Sequence, residues 1–286
     1  MVTVFTPVYN RAYIIRNLYE SLQRQTCMDF EWVVVNDGST DNIDELMQEF
    51  IYEGKIDIRY FKQENGGKHR AINRGVQEAK GIMFFIVDSD DYLTDDAVEW
   101  VKNQFKYIEF DKNFAGLSGC RIHNNGELIT KGFKEQMIEA SSLVIRYEKN
   151  ITGDMAEVWK TSIIKKYPFP EIEDEKFVPE ALVWNRMAAN GLKIRLVNKP
   201  LYVCDYLSDG LTASITRQRI KSPLASTLFY SELYDMKLPI KQKFKASINF
   251  WRFWFCLKKN KRLVFNWKRI ISLPLGFFMY LNDKRA

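Results

Sequence analysis

Residues 84–93 read FFIVDSDDYL. Apolar residues suited to a strand buried on both faces run directly into Asp88, Ser89, Asp90 and Asp91. Three carboxylates within four positions repel one another, so positive charge has to lie close by. A buried strand that opens at its carboxyl end onto polar residues is also the pattern of a parallel sheet with a ligand crevice at its rim.

Upstream, the same arrangement repeats. VTVFTPV (2–8), FEWVVVND (30–37), IDIRYFK (56–62) and IMFFIVD (82–88) read as strands. Between them, AYIIRNLYESLQRQ (12–25), TDNIDELMQEFI (40–51) and HRAINRGVQEAKG (69–81) carry helical spacing, the first at Ile14, Ile15, Leu18 and Leu22. Alternating strands and helices predict βαβ units, hence an α/β fold with a mostly parallel central sheet and flanking helices. Each strand end is polar: Thr6 to Arg11, Asn36 to Asp41, Asn65 to Lys68, and Asp88 to Asp91. Ligands of such sheets bind beyond the carboxyl ends of the strands, so these four clusters form one rim.

Further along, FAGLSGCRI and LKIRLVNKPLYVCDY read as strands, with helices expected around EVWKTSIIKKY and FVPEALVWNRMAANG. From 215 onward the pattern is helical throughout. The expected organisation is a domain over 1–210 in two halves (1–111 and 112–210), followed by a helical region over 211–286.

Composition limits the function classes. The 286 residues are 46% hydrophobic and 27% charged, enough for a sizeable core. Cys27, Cys120, Cys204 and Cys256 are scattered, which argues against a zinc site and suggests a reducing, cytoplasmic setting. The N-terminus enters a strand at once, with no visible signal peptide. Neither GxGxxG nor GxxxxGK[ST] occurs, so neither a dinucleotide enzyme of the Rossmann type nor a P-loop enzyme is supported.

The net charge of +6 is unevenly spread. Residues 241–286 hold 12 Lys and Arg against one acid, Asp283, a net of +11; the other 240 residues hold 30 basic and 35 acidic side chains, a net of −5. The same segment carries 11 aromatics, among them Phe250, Trp251, Phe253, Trp254 and Phe255, and Lys258 to Arg262 supplies four positive charges in five residues. No uncharged stretch is long enough to span a bilayer. Amphipathic helices over 240–282 lying on an anionic membrane surface are expected, in preference to nucleic acid; packing of the aromatics on the body is the alternative.

Each rim cluster suggests chemistry. Asp88 and Asp90, two apart at a strand exit, are hard oxygen donors suited to Mg²⁺ or Mn²⁺. Asp37 can accept hydrogen bonds from a base or ribose, although NDGS is also good turn chemistry. Gly66 and Gly67 let backbone approach a ligand, and Lys68 offers charge to a diphosphate.

Taken together, TPVYNR, VVVNDGSTD, ENGGKHRAINRG and VDSDD, in this order and spacing, resemble the family 2 glycosyltransferases, which have the GT-A fold. The resemblance covers about residues 1–205. It implies transfer of a sugar from a nucleotide diphosphate sugar, more often UDP-linked, with inversion at the anomeric carbon, to a saccharide or lipid-linked acceptor. A bacterial setting would make this part of cell-surface polysaccharide synthesis, on the inner face of the cell membrane. By the resemblance Thr6, Asp37 and Lys68 contact the nucleotide, with Val8 and Asn10 beside it. Asp88 and Asp90 form the metal-binding DxD, with Ser89 near the ribose. In EKFVPEALVWNRM (175–187) the family pattern places Glu180 as catalytic base, with Asp174 and Glu175 as rivals; Pro179-Glu180 stands where the family has a Glu-Asp pair. Asp154 is a weaker contact for acceptor or donor sugar. Of the other readings, a sugar nucleotidyltransferase needs a Gly-rich basic loop that TPVYNR lacks, and a non-catalytic membrane adaptor would have no use for the carboxylates.

Overall fold

The computed structural model describes residues 1–204, 214–258 and 267–284. Among the described residues, nine strands form one sheet in the order β3-β2-β1-β4-β8-β6-β9-β5, with β7 on the same edge of β9 as β5. The first half supplies β1 (Val2–Val8), β2 (Phe30–Asp37), β3 (Ile58–Gln63), β4 (Met83–Ile86) and β5 (Tyr92–Leu93), and the second supplies β6 (Phe114–Ile122), β7 (Met137–Ala140), β8 (Met155–Lys160) and β9 (Lys193–Val203). β1 to β4 are mutually parallel; β8 runs against β4 and β6, and β9 runs parallel to β6. Six of the nine strands therefore point one way, as the apolar runs predict.

Both faces of the sheet are covered. On one, α1 (Arg16–Gln23), α2 (Ile43–Glu53) and α4 (Ala97–Phe105) bury Leu18, Met47 and Val98 with Val4, Trp32 and Phe85. On the other, α3 (Lys68–Glu78) and α6 (Ala181–Ala189) bury Ile72 and Leu182 with Phe5, Phe84 and Trp159. Successive residues of a strand point to opposite faces, so Val4 and Phe5 enter different cores. Trp159 of β8 stacks on Trp184 of α6 at 4.2 Å, which seats α6 over the second half.

The segment EVWKTSIIKKY departs from the helix expected there. It continues β8 through Lys160 and becomes helical only over Thr161–Ile164 (α5). The reason is burial on both faces: Ala156 and Val158 enter one core, Met155 and Trp159 the other. Glu157 and Lys160 break the apolar run, so the segment shows neither the continuous run of a buried strand nor the alternation of a half-exposed one.

The C-terminal region is helical where described: α7 (Ile215–Lys221), α8 (Pro223–Asp235), α9 (Ile240–Trp254), a 3-10 turn (Trp267–Ser272) and α10 (Leu273–Asp283). The expected boundary at 210/211 and most of the basic run 258–262 lie outside the described residues. α8 is tied to the body twice. Arg186 of α6 donates two hydrogen bonds to Glu232, at 2.8 and 2.7 Å. Glu175 accepts the amides of Leu224 and Ala225 in the first turn of α8, both at 2.7 Å. That arrangement satisfies helix N-terminal donors with a carboxylate.

One glycine gives a test with an unusual sign. Replacing a mid-helix glycine by alanine ordinarily stabilises by about 1 kcal/mol. At Gly75 of α3, however, a Cβ would lie 2.1 Å from the Phe5 ring, which is itself stacked on Phe84. Gly75→Ala is expected to destabilise by about 1–3 kcal/mol in denaturant unfolding, through overpacking. A stabilised variant would show that helix and sheet are not in this close contact.

Candidate functional site

The rim is assembled from loops that hold one another. Asn10, in the left-handed region at φ 52°, follows β1 and accepts the Thr40 amide at 2.7 Å, while its own amide donates to Ser39 Oγ at 2.9 Å. Asp37, at the end of β2 and only 3% exposed, accepts four donors: Gln63 Nε2 and the Gly66 amide on Oδ1, and the Gly67 amide and Asn65 Nδ2 on Oδ2. One carboxylate thus shapes the 65–67 loop. Gly67 adopts φ 96°, and a Cβ there would stand 1.9 Å from the Lys176 carbonyl oxygen, so only glycine fits. Arg70 fastens the same loop to the second half by donating to the carbonyls of Gly66, Ile172 and Glu175.

The positive charge that the Asp cluster requires comes from three directions. Lys68, first residue of α3, places Nζ 2.5 Å from Asp88 Oδ1 and 2.8 Å from Glu180 Oε1. Arg11 lies 3.7 Å from Asp90. Arg121, at the end of β6, lies 3.8 Å from Asp88 and 3.6 Å from Asp91, with its guanidinium 3.9 Å above the Tyr202 ring. The Tyr202 hydroxyl accepts the Asp88 amide at 2.7 Å.

The acids respond differently to these surroundings. At Asp88, burial opposes ionisation, but Lys68 and Arg121 outweigh it and hold the carboxyl below its usual value. Burial and the neighbouring Asp88 push Asp90 upward and take Asp91 to about 8. Lys68 is half-buried, yet Asp88 and Glu180 overcome that cost and keep it above its ordinary value. Close beneath, Glu157 of β8 faces Arg146 at 3.7 Å; burial first of all raises it from 4.5 to about 7.

The donor set suits one kind of metal complex. Among the described residues no group of three or more His, Cys, Asp or Glu is placed to hold an ion. Asp88 and Asp90 are two carboxylates at one strand exit, and burial, followed by the charge of Asp88, raises Asp90. Mg²⁺ and Mn²⁺ sites of one or two carboxylates are completed by substrate phosphate oxygens. The pair fits an ion that arrives with a diphosphate.

The family model described as "Glycosyl transferase family 2" matches residues 3–153, and so takes in β1 to β7, Asp37, Lys68 and the whole Asp cluster. The chain belongs to glycosyl transferase family 2. It is 36% identical over 135 residues to a chondroitin synthase of Pasteurella multocida, covering 46% of this chain and 14% of that protein. To glycosyltransferases GlyA and GlyG of Streptococcus pneumoniae it is 40% and 33% identical over 114 and 128 residues. Those two alignments each cover 40% of this chain, with 16% of GlyA and 42% of GlyG. The chain thus spans less than half the length of each of these relatives. Among solved structures, S. aureus TarS 1–349 in complex with UDP-GlcNAc superposes with a TM-score of 0.64 at 20% identity, over 100% of this chain and 92% of that one. The mannosyltransferase PcManGT of Pyrobaculum calidifontis, in complex with GDP-Man and Mn²⁺, gives 0.58 at 18% identity, over 100% and 75%. The family 2 chain therefore has the GT-A type of fold.

The residues singled out in the sequence are distributed as follows. Asn10, Asp37, Lys68, Asp88, Ser89, Asp90 and Glu180 all belong to the rim, with Ser89 buried in its turn. Thr6 does not reach it: the residue is wholly buried and its hydroxyl accepts Trp32 Nε1 at 3.0 Å. Val8 is likewise buried in the core. Neither side chain is open to a ligand, because alternation in β1 turns both into the core that holds Trp32. Asp154 sits just before β8, where its carbonyl accepts the Thr130 hydroxyl at 2.6 Å. Glu175, a rival for base, is committed to the N-terminus of α8. Sequence reasoning misses Arg121, Tyr202 and Glu157. A lone Arg ending the buried run FAGLSGC is the available signal for the first.

A carboxyl raised in the native state keeps its proton there after the unfolded chain has lost it. The stability so contributed by Glu157 is complete below pH 4.5 and is lost as pH rises to about 7. The thermal midpoint of the protein, measured relative to Glu157→Gln, should fall across that window. A constant difference would mean that Glu157 titrates as an ordinary carboxyl.

Proposed function

We propose that this chain is an inverting glycosyltransferase that moves a sugar from a nucleotide diphosphate sugar, UDP-linked, to a saccharide or lipid-linked acceptor. The observation that carries the proposal is Lys68, held between Asp88 of the first half and Glu180 of the second. A cation shared by a strand-end aspartate and a carboxylate across the crevice sits where a leaving diphosphate and an incoming hydroxyl would meet. TarS 1–349 has been solved in complex with UDP, and bacterial synthases of chondroitin are among the relatives, which supports a UDP-sugar and a role in cell-surface polysaccharide synthesis.

The chemistry is a single displacement. The acceptor oxygen forms its bond to the anomeric carbon as the bond from that carbon to the diphosphate breaks, and the configuration inverts. Glu180 takes the proton released by the acceptor hydroxyl. Lys68 and Arg11 lie where negative charge grows on the phosphate oxygens and stabilise it in place. Mn²⁺ or Mg²⁺ held by Asp88 and Asp90 would add further neutralisation of that charge. Asp37 acts on the donor by fixing the 65–67 loop, and Asn10 by joining the ends of β1 and β2. Asp154 contacts the acceptor or the donor sugar. A lipid-linked acceptor would place the enzyme on the cytoplasmic face of a cell membrane.

A thermal-shift screen of UDP-, GDP-, CMP- and dTDP-sugars with and without Mn²⁺ tests the donor site. UDP-sugars with Mn²⁺ should stabilise the protein, by about 2.7 kcal/mol at a hundredfold excess over Kd. The metal-dependent part should vanish in Asp90→Asn. Absence of any shift with every nucleotide would favour the non-catalytic adaptor.

Glu180→Gln tests the base. It should lower turnover by about 10²–10⁴-fold while keeping the UDP–Mn²⁺ shift. Near-normal transfer by this variant would move the role of base to another residue.

A further inference from the structure

The dense aromatics at 250–257 point, by composition, to a membrane contact. The structure uses those aromatics otherwise. Phe250, Trp251 and Phe253 of α9 are buried, with Phe253 stacked on Tyr230 of α8 at 5.8 Å. Arg269 is buried too, lying over Phe250 and Tyr234 and donating to Ser231 and Asp235. Neither this ring cluster nor this cation is available to a lipid.

What remains exposed lies on the next element. From the 3-10 turn into α10, Trp267, Ile271 and Phe278 are 73%, 82% and 70% exposed, and Ile270, Leu275 and Leu281 are exposed with them. Ile271, Leu275, Phe278 and Leu281 recur at intervals of three and four, so they line one face of the helix. No charged residue occurs between Arg269 and Asp283 to interrupt it.

The opposite face is locked inward. A Cβ at Gly276 would come within 2.4 Å of the Trp251 Cβ, Ser272 bonds to Ser247, and Trp251 Nε1 donates to the Arg269 carbonyl at 2.7 Å. Asp283 receives two hydrogen bonds from Arg252, both at 2.6 Å. That pairing matters for charge as well as for orientation. Asp283 is the one acid among the 46 residues from 241 to 286, and it is neutralised on the inner side.

From this we infer that the outward face of α10 and the preceding turn inserts into an anionic lipid surface. An apolar stripe without charge, set within a segment of net +11, is complementary to acyl chains beneath acidic headgroups. Trp267 at its edge has the ring that favours the interface. None of the described helices is long and apolar enough to cross a membrane, so the contact is one-sided and shallow. This gives a location to the membrane side of the proposed function; it rests on that placement alone and is independent of the transfer chemistry.

Co-sedimentation of the full chain with phosphatidylcholine vesicles, with and without phosphatidylglycerol, tests the inference. Binding should require phosphatidylglycerol and weaken with salt. Ile271→Glu and Phe278→Glu should each reduce it on the order of tenfold or more, since each withdraws a large apolar side chain from lipid. Tyr52→Glu, at an exposed position of α2, should leave it unchanged. The UDP–Mn²⁺ shift should persist in both variants, which shows that they fold and separates this question from that of the donor site. Undiminished vesicle binding by both variants would overturn the assignment. So would a dimer in sedimentation velocity that the same variants abolish, because the face would then belong to a second copy.

Discussion

Lys68 and Arg121 hold the centre of this molecule together by electrostatics. The two sheet halves meet along β4 and β8, and at their common edge the chain concentrates Asp88, Asp90 and Asp91. Without compensation, three half-buried or buried carboxylates so close would oppose folding. Lys68 comes from the first half and binds across to Glu180; Arg121 comes from the second and binds back to Asp88 and Asp91. Each half supplies cations to the other. The charge arrangement that suits a diphosphate is therefore also a joint of the fold, and a change to either the lysine or the arginine bears on both.

Much of this can be read from the residues, and the failures have physical causes. The β1 to β4 units are legible because apolar runs ending in Asp, Asn and Gly alternate with helical spacing, and strand ends specify the rim whatever the loops do. The family resemblance places Glu180 through Trp184 and Arg186, yet it does not disclose the structural duty of those two residues: Trp184 stacks on Trp159, and Arg186 grips Glu232. Thr6 misleads because a polar residue near a strand end faces either core or rim, and only the Trp32 indole decides which. Arg121 and Tyr202 are far from the motifs in sequence and meet them through sheet pairing, of β6 with β9 and of β9 with β5. β8 is hidden in the sequence because Glu157 and Lys160 interrupt its apolar run, which leaves neither a continuous buried run nor a clean alternation.

The C-terminal region shows the same limit from the other side. Aromatic density and basic charge are plain, but composition does not say which face of a helix is already occupied. α9 spends its rings on α8 and α10, and Arg269 is enclosed by Phe250 and Tyr234 instead of standing in solvent. The apolar face left over belongs to α10, whose sequence is less aromatic and nearly uncharged.

The contact between Gly67 and the Lys176 carbonyl has a consequence for how such a protein can change. Across this seam the first half reaches over with glycine backbone and with the Arg70 and Asn73 side chains. These meet the carbonyl oxygens of Ile172, Glu175 and Phe169 and the Glu171 carboxylate, while the Lys176 ammonium donates back to Asn65. Carbonyl oxygens are the same whatever side chain the residue bears. A substitution at Ile172 can thus leave the 65–67 loop in its seat, whereas Glu171 and Lys176 hold that seat with their side chains. The seam therefore tolerates drift at the positions it holds by backbone and resists it at those it holds by side chains.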